Sequence, residues 1–151
     1  MAVLLSEKDR ARVGTTLALG PETVSRREIR RYAVATRQQA ARYLQGDEAP
    51  PLFFTRFFQD IPSLDDLQHN GQPLDPLTHG LPLKRQMAGG SQVTFHRPIV
   101  AGDELRATRT LTALSEKQGR SGPVIFCTIA LHVTDAAGRP VVDEVHTRIL
   151  R

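Results

Sequence analysis

The apolar pattern changes period at residue 86, and this change restricts the fold more than any other feature of the chain. Beyond it, apolar residues recur at every second position in four runs, at about 88–97, 104–115, 123–134 and 140–150. A period of two is the mark of strands, whose side chains alternate between the faces of a sheet. The links "VAGD", "SEKQGRSG" and "DAAGR" each carry the glycine that tight turns favour. Links this short join antiparallel neighbours. Pro98 closes the first run, and Pro140 opens the fourth, where a missing N–H is tolerated. "VIFCTIALHV" is apolar almost throughout and predicts a central strand buried on both faces.

The first half of the chain reads differently. Residues 1–22 look irregular, with "VGTTLAL" as a short first strand. Ser25 and Glu28 have capping-box spacing, which predicts a helix from there to about Thr36 with Ile29, Tyr32, Ala33 and Thr36 on one face. "QQAARYLQ" is a second helical piece, stopped by Gly46. In "APPLFFTRFFQDIP", Pro51 suits a first helical turn, and Phe53, Phe54, Phe57, Phe58 and Ile61 follow at helical spacing. Four of the six Phe residues lie here, so this helix is expected at the centre of the core, ending at Pro62. Residues 62–85 are rich in Pro, Gly, Asn and Asp and read as a long loop, of a length usually functional or mobile. A sheet with one apolar face must be covered. The expectation is therefore an α+β protein in one domain spanning residues 1–151.

Composition bounds the class. The chain is 40% hydrophobic, and no run approaches the roughly 20 apolar residues that cross a membrane. The opening "MAVLLSEKDR" is too short an apolar run for a secretion signal, so a cytoplasmic location is expected. Cys127 rules out an internal disulfide and sits in an apolar run, as an inert core thiol would. The net charge is +4 and most of the 20 cations are arginine, concentrated at "SRREIRRYAVATR". No aromatic platform, zinc spacing or helix-turn-helix pattern accompanies them, so nucleic acid is not expected as a partner. A solvated helix face accounts for the charge, and so does a phosphate-bearing small molecule. His and Cys are scattered without metal-ligand spacing, and Gly89-Gly90 precedes a strand where a nucleotide loop would precede a helix.

"AGGSQVTFHRPIVAGDEL" followed by "EKQGRSGPVIFCTIALHV" resembles the MaoC-like dehydratases, above all the N-terminal half of two-domain members. These include hydroxyacyl-thioester dehydratases and the mesaconyl-C4-CoA and itaconyl-CoA hydratases. "LPLKRQMAGG", "APPLFF" and the closing "HTRIL" fit as well, so the resemblance covers roughly residues 12–151. It implies a hot-dog fold, an antiparallel sheet wrapped around one long core helix. It also implies pairing of two hot-dog units, as a homodimer or a heterodimer. The implied reaction moves water across the α,β bond of an acyl thioester, with coenzyme A present only as part of the substrate and no other cofactor. The family's catalytic pair is an Asp and a His in a "D-x-x-x-x-H" segment. Here "YLQGDEAPP" holds Asp47 with no His five residues later, and the core helix opens "APPLFF" in place of "AHGML". The resemblance thus implies the substrate-binding half of a hydratase, paired with a catalytic hot-dog partner. Two alternatives stand beside it: an acyl-CoA thioesterase recruiting Asp47, Glu48 or Asp60, and a non-enzymatic acyl-CoA-binding module.

Individual residues follow from the chemistry. Hydration of an enoyl thioester needs a base, an acid and donors for the thioester oxygen. The N–H groups of Leu52 and Phe53 are candidate donors, since Pro50 and Pro51 have none. His96, on a strand end beside Arg97, and His79, on the loop near Asp75, are candidate proton carriers, with Asp47 the family-matched carboxylate. His96 reads equally as a scaffold residue. Arg97 and Arg120, the latter in the turn "GRSGP", are candidate anchors for the coenzyme A part of a substrate. His69, His132 and His146 read as surface or strand residues.

Overall fold

The structure, a computed structural model, describes residues 4–58 and 62–151. Five antiparallel strands form one sheet: β1 (Thr16–Thr23), β2 (Gln86–Phe95), β3 (Glu104–Gly119), β4 (Gly122–Asp135) and β5 (Pro140–Leu150). Their order is β1-β3-β4-β5-β2, so β4 is central while β1 and β2 are the edges. The four runs read from period two are thus real strands. The short link at residues 98–103, expected to join neighbouring strands of a meander, instead joins β2 to β3, which lie apart in the sheet because β2 pairs with β5; β3–β4 and β4–β5 are hairpins, each with one register shift. At the start of the chain, β1 lies a few residues later than "VGTTLAL" and pairs with β3 through a bulge between Leu19 and Glu22. Residues 4–22 are therefore better ordered than their composition suggests, with a one-turn helix α1 (Glu7–Arg10) capped by Ser6.

Helix α2 (Arg26–Ala35) forms as read. Ser25 Oγ accepts the Glu28 N–H at 3.1 Å, and the Glu28 carboxylate accepts the Ser25 N–H at 3.2 Å. Ile29 and Ala33 are buried and Tyr32 half-buried, while Thr36 is exposed. The second piece is a single turn, α3 (Ala41–Leu44), followed by Gly46 at φ +79°. A Cβ at Gly46 would meet Arg26 O at 2.6 Å, so only glycine lets this turn pack on α2.

The Phe-rich segment departs from expectation. It is a 3-10 turn at Pro51–Phe53 that passes into α4 (Phe54–Phe57), and no side chain caps either piece. Among the described residues the longest helix is α2. Aromatic residues are only moderate helix formers, and an uncapped start over two prolines leaves little to extend. The tail of the expected helix, including Asp60 and Ile61, lies outside the described residues. Phe53 and Phe54 nonetheless anchor one core cluster with Ile29 of α2 and Leu105, Ala107, Val133 and Val142 of the sheet.

The other half of the same sheet face is covered by the segment read as a loop. Leu77 and Leu81 are buried against Leu111, Ile125, Cys127, Ile129 and Leu150, together with Leu5. Leu77 and Leu81 of this segment are therefore part of the core. Asp75 fixes them: its carboxylate accepts from Arg109 at 2.9 Å, from Arg148 at 2.7 Å and from the Leu77 N–H at 3.1 Å. Strand β4 is central as expected, but only one of its faces is fully buried. Ile125, Cys127, Ile129, Leu131 and Val133 point to the core, whereas Phe126 and Thr128 are half-buried and His132 is exposed. Among the described residues no second layer packs on that outer face.

Candidate active site

Residues 47–51 run beside residues 97–101. The Ala49 N–H donates to Ile99 O at 2.8 Å and the Ala101 N–H to Asp47 O at 3.2 Å, and Glu48 bridges Val100. This pairing opens a cleft of about 350 Å³ between the Pro50-Pro51 turn and the end of β2. Its walls are Ala49, Pro50, Pro51, Phe95, Pro98, Ile99 and Val142, with Glu48, His96 and Arg97 as the polar members. An apolar cleft with a few converging polar groups is the usual form of a small-molecule site. A larger depression of about 660 Å³ follows Arg26, Arg27, Arg30 and Arg31 on α2. It is an open surface groove over a solvated arginine face, so the smaller cleft is the better candidate.

The surroundings of His96, one of the cleft's polar walls, are set by the neighbouring strands. β4 and β5 pair His132 with Asp143, and β5 and β2 pair Asp143 with Thr94, two residues before His96. His96 Nε2 lies 2.7 Å from Asp143 Oδ2, and His132 Nδ1 lies 2.7 Å from Asp143 Oδ1. These hydrogen bonds, His132's first and then His96's, hold the Asp143 carboxyl below its usual range against the effect of desolvation. An ionised carboxylate only accepts. Each facing ring nitrogen therefore donates to this carboxylate. The His96 N–H donates to Val141 O at 2.9 Å and fixes the backbone.

The other candidates from sequence fare unevenly. Arg97 lines the cleft, but its guanidinium is spent on the turn. It donates to both Asp103 oxygens at 2.8 and 3.1 Å and to Pro98 O at 2.8 Å, and lies 3.7 Å from Asp135. Phe53 has its ring in the core and its N–H bonded to Pro50 O at 2.9 Å, so it offers no free donor. Leu52 is exposed beside the cleft. Asp47 stands outside the cleft walls, ion-paired with Arg26, whereas its neighbour Glu48 is a wall residue 3.3 Å from Arg42. His79 is exposed on the packed segment and is not a cleft residue. Arg120 sits at the tip of the β3–β4 hairpin, where Gly119 faces Gly122. Val133 of β4 pairs with Val142 of the cleft wall, eleven residues along from Gly122, so at ~3.3 Å per residue Arg120 is more than 30 Å away along the sheet. It cannot join this cleft within one chain. Asp143 and His132 were missed. Counting the hairpin register back from "DAAGR" would set His132 opposite Val142; the register shift between Val133 and Thr134 brings Asp143 there instead.

The topology and a cleft bounded by a short aromatic helical turn define a hot-dog protein of the MaoC-like dehydratase class. A family described as "FAS1-like, dehydratase domain region" matches residues 11–144, and the chain belongs to it. It is 28% identical over 85 residues to a mesaconyl-C(4)-CoA hydratase of Chloroflexus aurantiacus, a stretch covering 56% of this chain and 30% of that relative. The chain thus spans well under half of that relative's length. Its fold is shared with the ChsH1-ChsH2 complex of Mycobacterium tuberculosis, at TM-score 0.70, 16% identity, 95% of this chain and 86% of that one. It is shared too with the C-terminally truncated HadBC (3R-hydroxyacyl-ACP dehydratase) complex of the same organism, at TM-score 0.64, 18% identity, 91% of this chain and 96% of that one.

Proposed function

We propose that this chain is a hot-dog unit of an acyl-thioester hydratase or dehydratase, that it binds the substrate in the Pro50–Pro98 cleft, and that it works paired with a second hot-dog chain. The observation that carries this is the state of β2. Nine of its ten residues pair on one side with β5, and the other side is, among the described residues, an open sheet edge with only Val93 shielded. Met87 and Phe95 stand exposed along it. A long unprotected edge invites another strand, and soluble proteins seldom leave one bare. Two of the structures that share its fold are complexes by name, HadBC and ChsH1-ChsH2. The similarity to a mesaconyl-C(4)-CoA hydratase supports an acyl-thioester substrate. Because the family's Asp-x-x-x-x-His pair is absent from these residues, the partner chain supplies it.

The thioesterase reading is weaker. Of its three candidate carboxylates, Asp47 is off the cleft, Glu48 is engaged by Arg42 and Asp60 is outside the described residues. The test is the mass of the purified protein by light scattering, with hydration of crotonyl-CoA measured with and without a co-purifying hot-dog chain. A dimer with a second hot-dog chain that hydrates crotonyl-CoA only in that pairing supports the proposal, and a homodimer active by itself overturns the partner's role. A monomer inert toward acyl-CoA esters overturns it, and release of free thiol favours the thioesterase.

A further inference from the structure

We propose that the outward face of α2, built by Arg27, Arg30, Arg31 and Val34, is a docking surface for an acidic carrier protein that brings the acyl thioester to the cleft. The inference rests on the acyl-thioester reading of the cleft and adds the form in which the thioester arrives, on a protein and not on free coenzyme A.

The positive charge of the chain is gathered on and around this helix. Residues 26–42 hold six arginines against the single Glu28, an excess larger than the net +4 of the whole chain. Glu28 is engaged by Ser25 in the capping box. Arg26 has Asp47 as its counterion and Arg42 has Glu48. Among the described residues, Arg27, Arg30 and Arg31 have no ion pair or hydrogen bond. They recur with Val34 at spacings of three and four and so share one face of the helix. Like charges at that spacing repel, and cations in the first turn oppose the helix dipole. Burial of Ile29 and Ala33 holds α2 to the core, so the fold itself has no use for these arginines. The array is nonetheless fixed. The γ-carbons of Arg26 and Arg30 lie over the Gly46 turn, where an added Cβ would come within 2.7 and 2.8 Å of them. A face that keeps one sign of charge at a cost to its own helix is suited to a partner of the opposite sign.

Its form fits a protein better than the phosphates of coenzyme A. A phosphate site is a concave cradle, whereas the groove over these arginines lies open on the surface. The face runs about 10 Å from Arg27 to Val34, at about 1.5 Å per residue. It ends in the exposed aliphatic side chains of Val34 and Ala35. Arginine beside exposed apolar surface is the make-up of protein interfaces. The guanidinium forks can take carboxylates from a facing acidic helix, and Val34 can take its apolar residues. The face also adjoins the cleft. Arg26 is paired with Asp47, whose neighbour Glu48 is a cleft wall, and Tyr32 lies edge-on to Phe53 with ring centres 5.6 Å apart. A thioester arm from a carrier docked on α2 reaches the cleft across residues 47–51.

The test uses the protein in its native assembly and compares R27E/R31E with K8E/K84E. The second pair makes an equal change of charge at the far end of the sheet, beside Arg10–Glu116 and Arg85–Arg151. Hydration is measured on a crotonyl group borne by an acyl carrier protein of strongly negative net charge, and on crotonyl-CoA. Charge complementarity acts on encounter, so R27E/R31E is expected to raise KM for the protein-borne substrate roughly tenfold with kcat unchanged. KM for crotonyl-CoA should stay at the wild-type value, and K8E/K84E should alter neither. Added salt should raise the wild-type KM for the protein-borne substrate and affect R27E/R31E little. Reversal removes the repulsion within α2, so R27E/R31E should melt no lower than wild type; if it does, R27Q/R31Q repeats the comparison with the charge only removed. KM rising equally for both substrates assigns the face to the coenzyme A phosphates and overturns the proposal. An unchanged KM for both, or an equal effect of K8E/K84E, overturns it as well. A wild-type assembly that hydrates crotonyl-CoA but not the protein-borne substrate overturns the docking role and leaves the thioester reading standing. An assembly inert toward both overturns the thioester reading and this inference with it.

Discussion

Asp75→Asn tests whether residues 74–83 are held as core or merely lie on the sheet. The Asp75 carboxylate touches Arg109 at 2.9 Å and Arg148 at 2.7 Å, and the three side chains are only 11%, 21% and 28% exposed. Removing the negative charge strands two guanidinium groups in a mostly covered site. Breaking a buried pair costs about 3–5 kcal/mol. The residual exposure of both arginines, and the acceptor that asparagine keeps, put this case near ~3 kcal/mol. At about 2–4 °C per kcal/mol for a domain of this size, Tm should fall by roughly 6–12 °C. Burial raises the Asp75 pKa, but the hydrogen bonds and charge of Arg109, the Leu77 N–H and Arg148 outweigh it and hold the carboxyl below its ordinary value. A depressed carboxylate stabilises fully above its unfolded pKa of about 3.9, and the contribution is lost as pH falls through the folded value. The gap between wild type and D75N should therefore be full at neutral pH and shrink below about pH 4. Circular dichroism melts over that range would measure it, with the exposed D65N as control. A D75N protein melting within 2 °C of wild type at neutral pH, or a gap unchanged down to about pH 3, would refute the reasoning.

Other consequences are simpler. Ser25→Ala removes the cap that starts α2, at a cost of about 1 kcal/mol, and should lower Tm by roughly 2–4 °C; an unchanged melt would show that the cap is not coupled to the burial of Ile29 and Ala33. Cys127 is buried and its thiol is pushed up to about 11 by desolvation, so a disulfide reagent at mildly alkaline pH should leave it unlabelled until the protein is unfolded. Immediate labelling of the folded protein would place the thiol at the surface. Lysines at Gln92 and Thr94 put like charges on the open β2 edge, which should convert a paired assembly to monomers by light scattering with the circular dichroism spectrum unchanged. Retention of the wild-type mass would move the pairing surface elsewhere.

What the sequence revealed followed from the kind of interaction involved. The strands of the second half were legible because their alternation is local and because glycine turns fix each hairpin. The capping box marked α2 to the residue, since both of its hydrogen bonds lie within one turn. The edge position of β2 was not legible: it depends on a turn at 98–103 that carries the chain past two strands before β3 begins. The site was half legible. His96 could be singled out by its neighbours in sequence, but its meaning depends on Asp143, 47 residues away, and on a cleft built by residues 47–51. Arg97 misled because a cation in a family motif suggests an anion to bind, and here the anion is Asp103 six residues on.

The Pro- and Gly-rich middle of the chain explains why composition misjudged it. With α4 reduced to a single turn, the Phe-rich segment covers only the half of the sheet that carries Leu105, Ala107, Val133 and Val142. The other half, from Leu111 to Leu150, is as apolar and would face water uncovered. Each aliphatic side chain buried there is worth about 1.5–3 kcal/mol, so some segment must lie over it. A helix would have announced itself by period. Residues 74–83 do the same work with Leu77, Leu81 and Leu83 between turn residues, a spacing without any regular period. An irregular segment can be buried only if its backbone groups find partners. Asp75 supplies these by accepting the Leu77 N–H on its side chain and the Thr78 and His79 N–H groups on its carbonyl. The same carboxylate then ties the segment to Arg109 and Arg148 of the sheet. One acidic residue thus converts a stretch that reads as a loop into the second half of the core, which is why the covering of this hot-dog sheet is decided at Asp75 as much as at the phenylalanines.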